Sequence, residues 1–217
     1  MFSGIVETQA RVLEILNGES SQTVLLRIVL SRPAQFDDLH IGDSVAVNGV
    51  CLTIESFNDE RMTFALGNET LKITGWTANS LQGVNLNVER SLRLGDRIHG
   101  HMVSGHVDAT GTVESIRDLG GSVGFDVRCP EKLRSFVWPK GSWAVSGVSL
   151  TVNEVRGDVV SMCLIPETLS RTNLGILKEG MSVNLEVDMV ARGLVNYFAT
   201  HQISSQISSQ ISSGRVS

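Results

Sequence analysis

The sequence predicts an all-β protein in which two homologous β-barrels follow one another and a C-terminal helix comes last. Three observations support this: the chain matches itself at an offset of 98 to 101 residues, short runs of Val, Ile and Leu recur between turn-forming pairs, and 21 glycines stand against four prolines. Frequent glycine with little proline suits a protein with many tight turns. A chain of 217 residues can also provide two domains of about 100 residues, each able to bury a core.

The internal repeat defines the domains. Residues 42–54 match residues 140–152 with seven of thirteen positions identical, and a match at a fixed period indicates one structural unit used twice. Three shorter pairs keep the same order: 1–6 with 102–107, 69–71 with 167–169, and 84–86 with 183–185. We therefore predict a first barrel over residues 1–97, a second over residues 98–188 with the boundary near Ile98, and a C-terminal helix and serine-rich tail over residues 189–217.

Strands are predicted wherever apolar residues alternate with polar ones or form short β-branched runs. Examples in the first copy are residues 23–30, 44–54, 62–66 and 84–88, each of a length and composition typical of strands. Turn-forming pairs at 17–18, 48–49, 120–121 and 146–147 separate such runs. Strands spaced this closely in a small domain favour closure into a barrel, because closure removes exposed edges.

Two segments depart from the strand pattern. Residues 130–137 are predicted to form one or two helical turns, and residues 188–201 an amphipathic helix with Leu194, Val195 and Phe198 on its apolar face. Residues 203–211 then repeat a four-residue unit that places isoleucines on one helical face among serines, which have poor helix propensity. A helix and a disordered tail are both compatible with this last segment.

Composition argues against several classes of function. The net charge is −5 and basic residues do not cluster, which argues against a nucleic-acid partner. The sequence has neither an apolar run of about 18 to 20 residues nor a basic segment followed by an apolar one at the N-terminus. Its three cysteines lack C-x-x-C spacing, so neither a disulfide framework nor a zinc site is indicated. We expect a soluble cytoplasmic protein.

Matched positions where the two copies differ are the first candidates for chemistry. Cys51 corresponds to Ser149, so that the two barrels present a thiol and a hydroxyl at the same point. His106 stands where the first copy has Ile5, and imidazole is the side chain best suited to move protons near neutral pH. Each residue also has a structural interpretation, Cys51 as a small buried side chain and His106 as a hydrogen-bonded histidine.

Three histidines within eight residues raise the question of a metal site. On an extended strand His99 and His101 would face one side and His106 the other, and no acidic or cysteine ligand lies at a diagnostic spacing. We therefore predict no metal, and the sequence holds no nucleotide-binding or nucleophile-elbow motif. Glu69 and Glu167 recur at equivalent places, either as surface residues or as ligand contacts.

Five segments together carry a family resemblance: residues 1–7 (MFSGIVE), 47–53 (VNGVCLT), 100–108 (GHMVSGHVD), 146–152 (SGVSLTV) and 165–169 (IPETL). They resemble the riboflavin synthase family from Met1 to about Asp188. The resemblance implies two six-stranded Greek-key barrels, each binding one 6,7-dimethyl-8-ribityllumazine, in a homotrimer assembled through the C-terminal helix. It also implies a dismutation without metal or cofactor, in which one lumazine passes a four-carbon unit to the other. Association with lumazine synthase is left open.

The resemblance also implies a set of site residues, which converge from the first barrel of one chain and the second barrel of its neighbour. Catalytic roles are implied for Phe2, Ser44, Cys51, His106, Thr151 and Asp188. Lumazine contacts in the first barrel are implied for Gly4, Ile5, Val6, Cys51, Leu52, Thr53, Ala65, Leu66, Gly67, Asn68, Glu69 and Thr70. Those in the second are Gly105, His106, Val107, Lys140, Ser149, Leu150, Thr151, Cys163, Leu164, Ile165, Pro166, Glu167 and Thr168.

Two departures and two rival interpretations accompany this resemblance. His99 replaces a glycine frequent in the family, and the serine-rich tail replaces a charged helix end, which puts the strength of trimer packing in question. A non-catalytic antenna protein of the same fold would bind a chromophore in the first barrel only, with eroded motifs in the second, whereas here those motifs are intact. A barrel that serves only as an interaction module would not explain ligand-type segments in both copies.

Overall fold

The computed structural model describes residues 1–18 and 24–212, and within them the chain is mostly β-strand. The strands of the first half are β1 Thr8–Asn17, β2 Val24–Ser31, β3 Ser44–Val47, β4 Val50–Phe57, β5 Arg61–Gly67 and β6 Asn85–Arg90. Those of the second half are β7 Ala109–Asp118, β8 Val123–Arg128, β9 Ser142–Val145, β10 Val148–Arg156, β11 Val159–Leu164 and β12 Ser182–Val187.

The strands close into two six-stranded antiparallel barrels. The first has the order β1-β2-β5-β4-β3-β6, and the second has the order β7-β8-β11-β10-β9-β12, which is the same connectivity six strands later. The predicted fold class, two homologous six-stranded barrels followed by a C-terminal helix, is confirmed. Each barrel has its own apolar core, as expected for two copies of one unit.

Alternation in the sequence becomes alternation of burial in the strands. In β5, for example, Met62, Phe64 and Leu66 point inward and are fully buried, while the intervening residues are partly exposed. The predicted strand 44–54 is divided into β3 and β4 by a two-residue turn in which Asn48 and Gly49 both have positive φ. Such a turn matches the twist of a hairpin, and Ser146 and Gly147 make the same turn between β9 and β10.

Helices occupy a few connections and the C-terminus. They are α1 Asn68–Thr74, α2 Ala78–Leu81, α3 Pro166–Arg171 and α4 Met189–Ser212, with 3-10 turns at Glu131–Phe136 and Asn173–Ile176. The helical turns predicted at 130–137 are confirmed, whereas α1, α2 and α3 are too short to give a periodic signal. α4 continues through the serine-rich repeat to Ser212, and residues 213–217 lie outside the described residues. In the described part of the chain, no helix has the length and apolarity needed to cross a membrane.

The two barrels meet through contacts that occur in pairs. The Asn87 side chain donates to the carbonyl oxygen of Ser146, and the Asn184 side chain donates to that of Asn48, both at 2.9 Å. A small apolar cluster is drawn from both halves of the chain: Phe2, Ala46, Val103 and Ala144, with Cys51 packed against it. Paired contacts of this kind relate the two halves by an approximate two-fold axis.

Candidate active site

The N-terminal segment crosses to the second barrel. Residues 2–6, which we term the first arm, precede β1 in the chain, yet the carbonyl oxygen of Gly4 accepts a 2.7 Å hydrogen bond from the backbone N–H of Ser149 in β10. Val6, at the end of this arm, is 5% exposed and belongs to the core of the second barrel. Residues 4–6, predicted to contact a lumazine in the first barrel, therefore pack against the second barrel, and their contacts with a ligand stay predictions.

The segment between the barrels makes the reciprocal crossing. Residues 103–107, the second arm, precede β7, but the carbonyl oxygen of Gly105 accepts a 2.8 Å hydrogen bond from the backbone N–H of Cys51 in β4. Val107 packs against the core of the first barrel. Residues 105–107, predicted to contact a lumazine in the second barrel, thus pack against the first, so the two arms exchange places between the barrels.

This exchange brings Cys51 and His106 into one cavity of a single chain. We term this cavity, of about 280 Å³, the first cup. Cys51 is half-buried and His106 is exposed, so both side chains are accessible to a bound molecule. Its lining is Val50, Cys51, Glu69, Thr70, Ile73, Thr74, Gly105, His106 and Val107. The structure therefore brings these two residues together within one chain, and the convergence of site residues from two chains stays a prediction.

Matching positions define a second cup on the other barrel. Thr74 and Thr172 each donate a side-chain hydrogen bond to the carbonyl oxygen of the threonine four residues earlier, which fixes the correspondence of α1 with α3. By this correspondence we define the second cup as the positions of Ser149, Thr168 and the first arm, with Ile5 in place of His106. Arg171 stands in place of Ile73 and pairs with Glu167. None of these second-cup residues lines the first cup.

Ser149 has a partner that the sequence interpretation missed. His101 is 9% exposed, and its Nδ1 lies 2.7 Å from the hydroxyl of Ser149. Burial lowers the pKa of His101, although the nearby carboxylates of Asp188 and Glu186 oppose that shift, so the imidazole is neutral at neutral pH. Among the residues that the structure describes, its Nε2 has no hydrogen-bond partner. Gly100 permits this contact, because a Cβ there would lie 2.9 Å from the Ser149 hydroxyl.

The expected strand geometry of the three histidines is also wrong. Residues 99–107 form no regular strand, only a single bridge between Val103 and Phe2. His101 is buried, whereas His99 and His106 are exposed. Among the residues that the structure describes, no group of three His, Cys, Asp or Glu side chains is placed to hold a metal ion.

Four other predicted catalytic residues do not line the first cup: Phe2, Ser44, Thr151 and Asp188. Phe2 is fully buried between the barrels. Ser44 lines a separate polar pocket that also contains His40 and Arg90. The Asp188 carboxylate accepts hydrogen bonds from backbone N–H groups in the first turn of α4. Asp188 is therefore the N-cap of this helix. The structure therefore gives Phe2 and Asp188 packing and capping roles, while their catalytic roles stay predictions.

The remaining predicted contacts divide by strand face. Four leucines are buried in the barrel cores and can offer a ligand only their backbone: Leu52, Leu66, Leu150 and Leu164. The others are partly or fully exposed and lie in strands, turns and short helices: Thr53, Ala65, Gly67, Asn68, Glu69, Thr70, Lys140, Thr151, Cys163, Ile165, Pro166, Glu167 and Thr168. Their contacts with a ligand stay predictions.

A family model places the duplicated unit among known proteins. The model described as the lumazine binding domain matches residues 3–91 and again residues 104–188. Two solved structures of LumP, in complex with riboflavin and with 6,7-dimethyl-8-(1'-D-ribityl) lumazine, superpose with TM-scores of 0.76 and 0.74 at 22% and 21% identity. Each superposition covers 86% of this chain and 99% of the LumP chain, and at this identity it supports the fold alone.

Relatives of known activity are closer in sequence. The riboflavin synthase of Chlamydia muridarum is 40% identical, with 88% of this chain and 92% of the relative covered. That of Bacillus subtilis is 35% identical over 91% of this chain and 89% of the relative, and that of Actinobacillus pleuropneumoniae 35% identical over 88% and 87%. By its two domain matches and by these relatives, the chain belongs to the riboflavin synthase family of transferases.

Proposed function

We propose that this protein converts two molecules of 6,7-dimethyl-8-ribityllumazine into riboflavin and 5-amino-6-(D-ribitylamino)uracil. One lumazine gives up a four-carbon unit and the other accepts it. The two products contain all the atoms of the two substrates, so the reaction needs neither an oxidant nor a metal in its balance. The observation that carries the proposal is the first cup, together with matching residue positions on the second barrel, in a chain of this family.

In this reaction the protein mainly has to orient the two lumazine rings and to transfer protons. The 7-methyl group of the lumazine is itself acidic and the ring carbons are electrophilic, so positioning supplies much of the rate enhancement. In the first cup His106 is the candidate proton carrier, because an accessible imidazole can exchange protons near neutral pH. Cys51 and Thr70 are candidate polar contacts in the same cavity.

The second cup supports a related but different role. The hydroxyl of Ser149 is held by the buried, neutral imidazole of His101, whereas Cys51 occupies the matching position with an accessible thiol. A hydroxyl fixed in this way can donate or accept a hydrogen bond in a defined direction. The two cups therefore present unlike groups to two identical substrates, as a donor and an acceptor require.

We further propose that the two lumazines meet across a contact between chains, in a homotrimer. The lining of the first cup includes no second-cup residue, which argues against a shared cavity within one chain. α4 carries Val190, Leu194, Tyr197 and Phe198 at helical spacing, each more than half exposed, and a continuous apolar stripe of this kind favours burial against another subunit. Location in the cytoplasm and association with lumazine synthase stay predictions that no contact in this chain addresses.

The test is turnover with the lumazine as sole substrate. Purified protein should consume two lumazines for each riboflavin formed, followed by lumazine absorbance and riboflavin fluorescence. Tight binding of the lumazine with no riboflavin at any protein concentration would instead favour the alternative, a non-catalytic lumazine- or flavin-binding protein of the same fold. Solution mass measured on the same sample tests the trimer.

Variants of the first cup test its assignment. His106→Gln and Cys51→Ala should each lower kcat while riboflavin still binds to the second cup. Glu114→Gln is the control, because Glu114 is an exposed residue paired with Arg128 outside the first cup. Unfolding of both cup variants under assay conditions would show that these residues support the fold rather than the chemistry.

A further inference from the structure

Two buried carboxylates that the proposed chemistry does not use hold the two arms in place. Glu89 on β6 is 4% exposed, and one of its oxygens accepts hydrogen bonds from the backbone N–H of Ser3 at 2.7 Å and from the Ser3 hydroxyl at 2.8 Å. Its second oxygen accepts the backbone N–H of Gly4 at 3.1 Å. The carboxylate therefore fixes three donors of the first arm.

Glu186 on β12 repeats this arrangement on the second arm. It is 3% exposed, and one oxygen accepts the backbone N–H of Ser104 at 2.7 Å and the Ser104 hydroxyl at 2.6 Å. Its other oxygen accepts the backbone N–H of Gly105 at 3.0 Å. The same three hydrogen bonds at matched positions argue against a chance contact.

Each arm passes directly from its carboxylate to the opposite cup. The N–H of Gly4 binds Glu89 while its carbonyl oxygen accepts from Ser149, and the N–H of Gly105 binds Glu186 while its carbonyl oxygen accepts from Cys51. One glycine therefore links a carboxylate of one barrel to the cup of the other. The residue after Gly105 is His106, so Glu186 sets where that imidazole lies.

The free energy of folding alone does not explain why these two carboxylates are buried. Burying a carboxylate carries a large desolvation cost, and apolar packing of similar volume is often no less stable. A carboxylate does provide two oxygens that only accept, which suits two neighbouring backbone N–H groups and a hydroxyl. The geometry thus favours a role in orientation.

We propose that Glu89 and Glu186 are positioning residues, Glu186 placing the second arm and His106 in the first cup, and Glu89 placing the first arm against Ser149 in the second cup. Each barrel therefore shapes the site of the other. This inference rests on the proposed function for the meaning of the cups, and it predicts a crossed pattern of defects.

The experiment compares Glu89→Gln with Glu186→Gln, with riboflavin as the probe. In Gln the second oxygen becomes an NH₂ donor that faces the glycine N–H, so the arm should shift. Fluorescence titration should give two equivalents of riboflavin bound per wild-type chain and one per chain of either variant. Both variants should also show a lower kcat.

Alkylation of Cys51 shows which cup is lost. Saturating riboflavin should slow the reaction of Cys51 with iodoacetamide, followed by peptide mass spectrometry, in the wild-type protein and in Glu89→Gln. Protection should disappear in Glu186→Gln, because only that variant disturbs the first cup. Glu114→Gln, which removes a carboxylate paired with Arg128 on the surface, should behave as the wild type.

Two outcomes overturn the inference: both variants retain two equivalents with Cys51 protected, or both lose the same cup. If a Gln variant does not fold, Ser3→Ala and Ser104→Ala remove only one donor from each set, and they should weaken the two cups in the same crossed pattern. A wild-type protein that binds two riboflavins but forms none from the lumazine would refute the proposed function. The inference about Glu89 and Glu186 would then still be decided by riboflavin binding and Cys51 protection in the variants.

Discussion

Alanine at Gly147 should destabilise the protein more than alanine at Gly157, because only Gly147 lies against the other barrel. Both glycines have positive φ, 82° and 63°, in hairpin turns of the second barrel. A Cβ at Gly147 would lie 2.7 Å from the backbone nitrogen and 3.0 Å from the Cα of Gly49, whereas one at Gly157 would meet no atom of the described residues within 4 Å. The pair therefore separates the cost of backbone conformation from the cost of the barrel contact.

The magnitudes follow from these two terms. A residue with a Cβ in the left-handed region costs about 1 to 2 kcal/mol relative to glycine, and this cost applies to both variants. Overpacking against atoms that cannot move aside costs about 1 to 3 kcal/mol more, and this cost applies to Gly147→Ala alone because its neighbours are backbone. We expect a loss of about 1 kcal/mol for Gly157→Ala and about 3 kcal/mol for Gly147→Ala.

Urea unfolding followed by tryptophan fluorescence measures both losses. Trp76 packs against the core of the first barrel, and Trp143 lies in that of the second. Gly147→Ala should lower the midpoint of both barrels, since the contact is shared, while Gly157→Ala should affect only the second. Equal losses of unfolding free energy in the two variants would refute the close approach of the two barrels at Gly147. The exchange of the arms depends on that approach.

Three further perturbations test the electrostatics and the assembly. Burial raises the pKa of Glu89 from 4.5 to about 7. Its contribution to the free energy of unfolding is therefore fully present below pH 4.5 and is lost as pH rises through about 7, by up to about 3 kcal/mol. Glu89→Gln should remove this loss, and a variant with the wild-type dependence of stability on pH would contradict the prediction. Burial lowers the pKa of His101 below 6.5, so the folded state loses stability as pH falls through 6.5. In His101→Gln the urea midpoint should therefore depend less on pH between about pH 7 and 5. A variant whose midpoint changes with pH as the wild type does would count against a neutral buried imidazole. Leu194→Glu should reduce the solution mass toward that of one chain, because it places a charge on the exposed stripe of α4, and an unaltered mass would exclude that stripe as a subunit contact.

Much of the fold was predictable from sequence because its determinants are local or repeated. The match of residues 42–54 to 140–152 indicated two copies of one unit, and the Asn48-Gly49 and Ser146-Gly147 pairs marked the hairpin turns that the structure shows. Burial in the strands follows the period-two pattern of apolar residues. The short helices α1, α2 and α3 escaped prediction because one or two turns carry too little periodicity.

The candidate site was predictable only in its parts. The divergence at Cys51 and at His106 identified two residues that the structure places in one cavity. The docking of the arms was not predictable, since five residues that precede a strand carry no pattern that selects a barrel. The contact of His101 with Ser149 was missed for the same reason, because it joins residues 48 positions apart.

By itself, the amino-acid sequence determined the duplication, the strand pattern and the matched positions at which the two halves differ. These features depend on residue order and on the alternation of apolar and polar side chains, which every strand expresses locally. Only the tertiary structure decided that each arm crosses to the other barrel and is held there by Glu89 or Glu186. That outcome depends on whether buried backbone donors find carboxylate acceptors across the interface, a requirement of three-dimensional packing that no local pattern encodes.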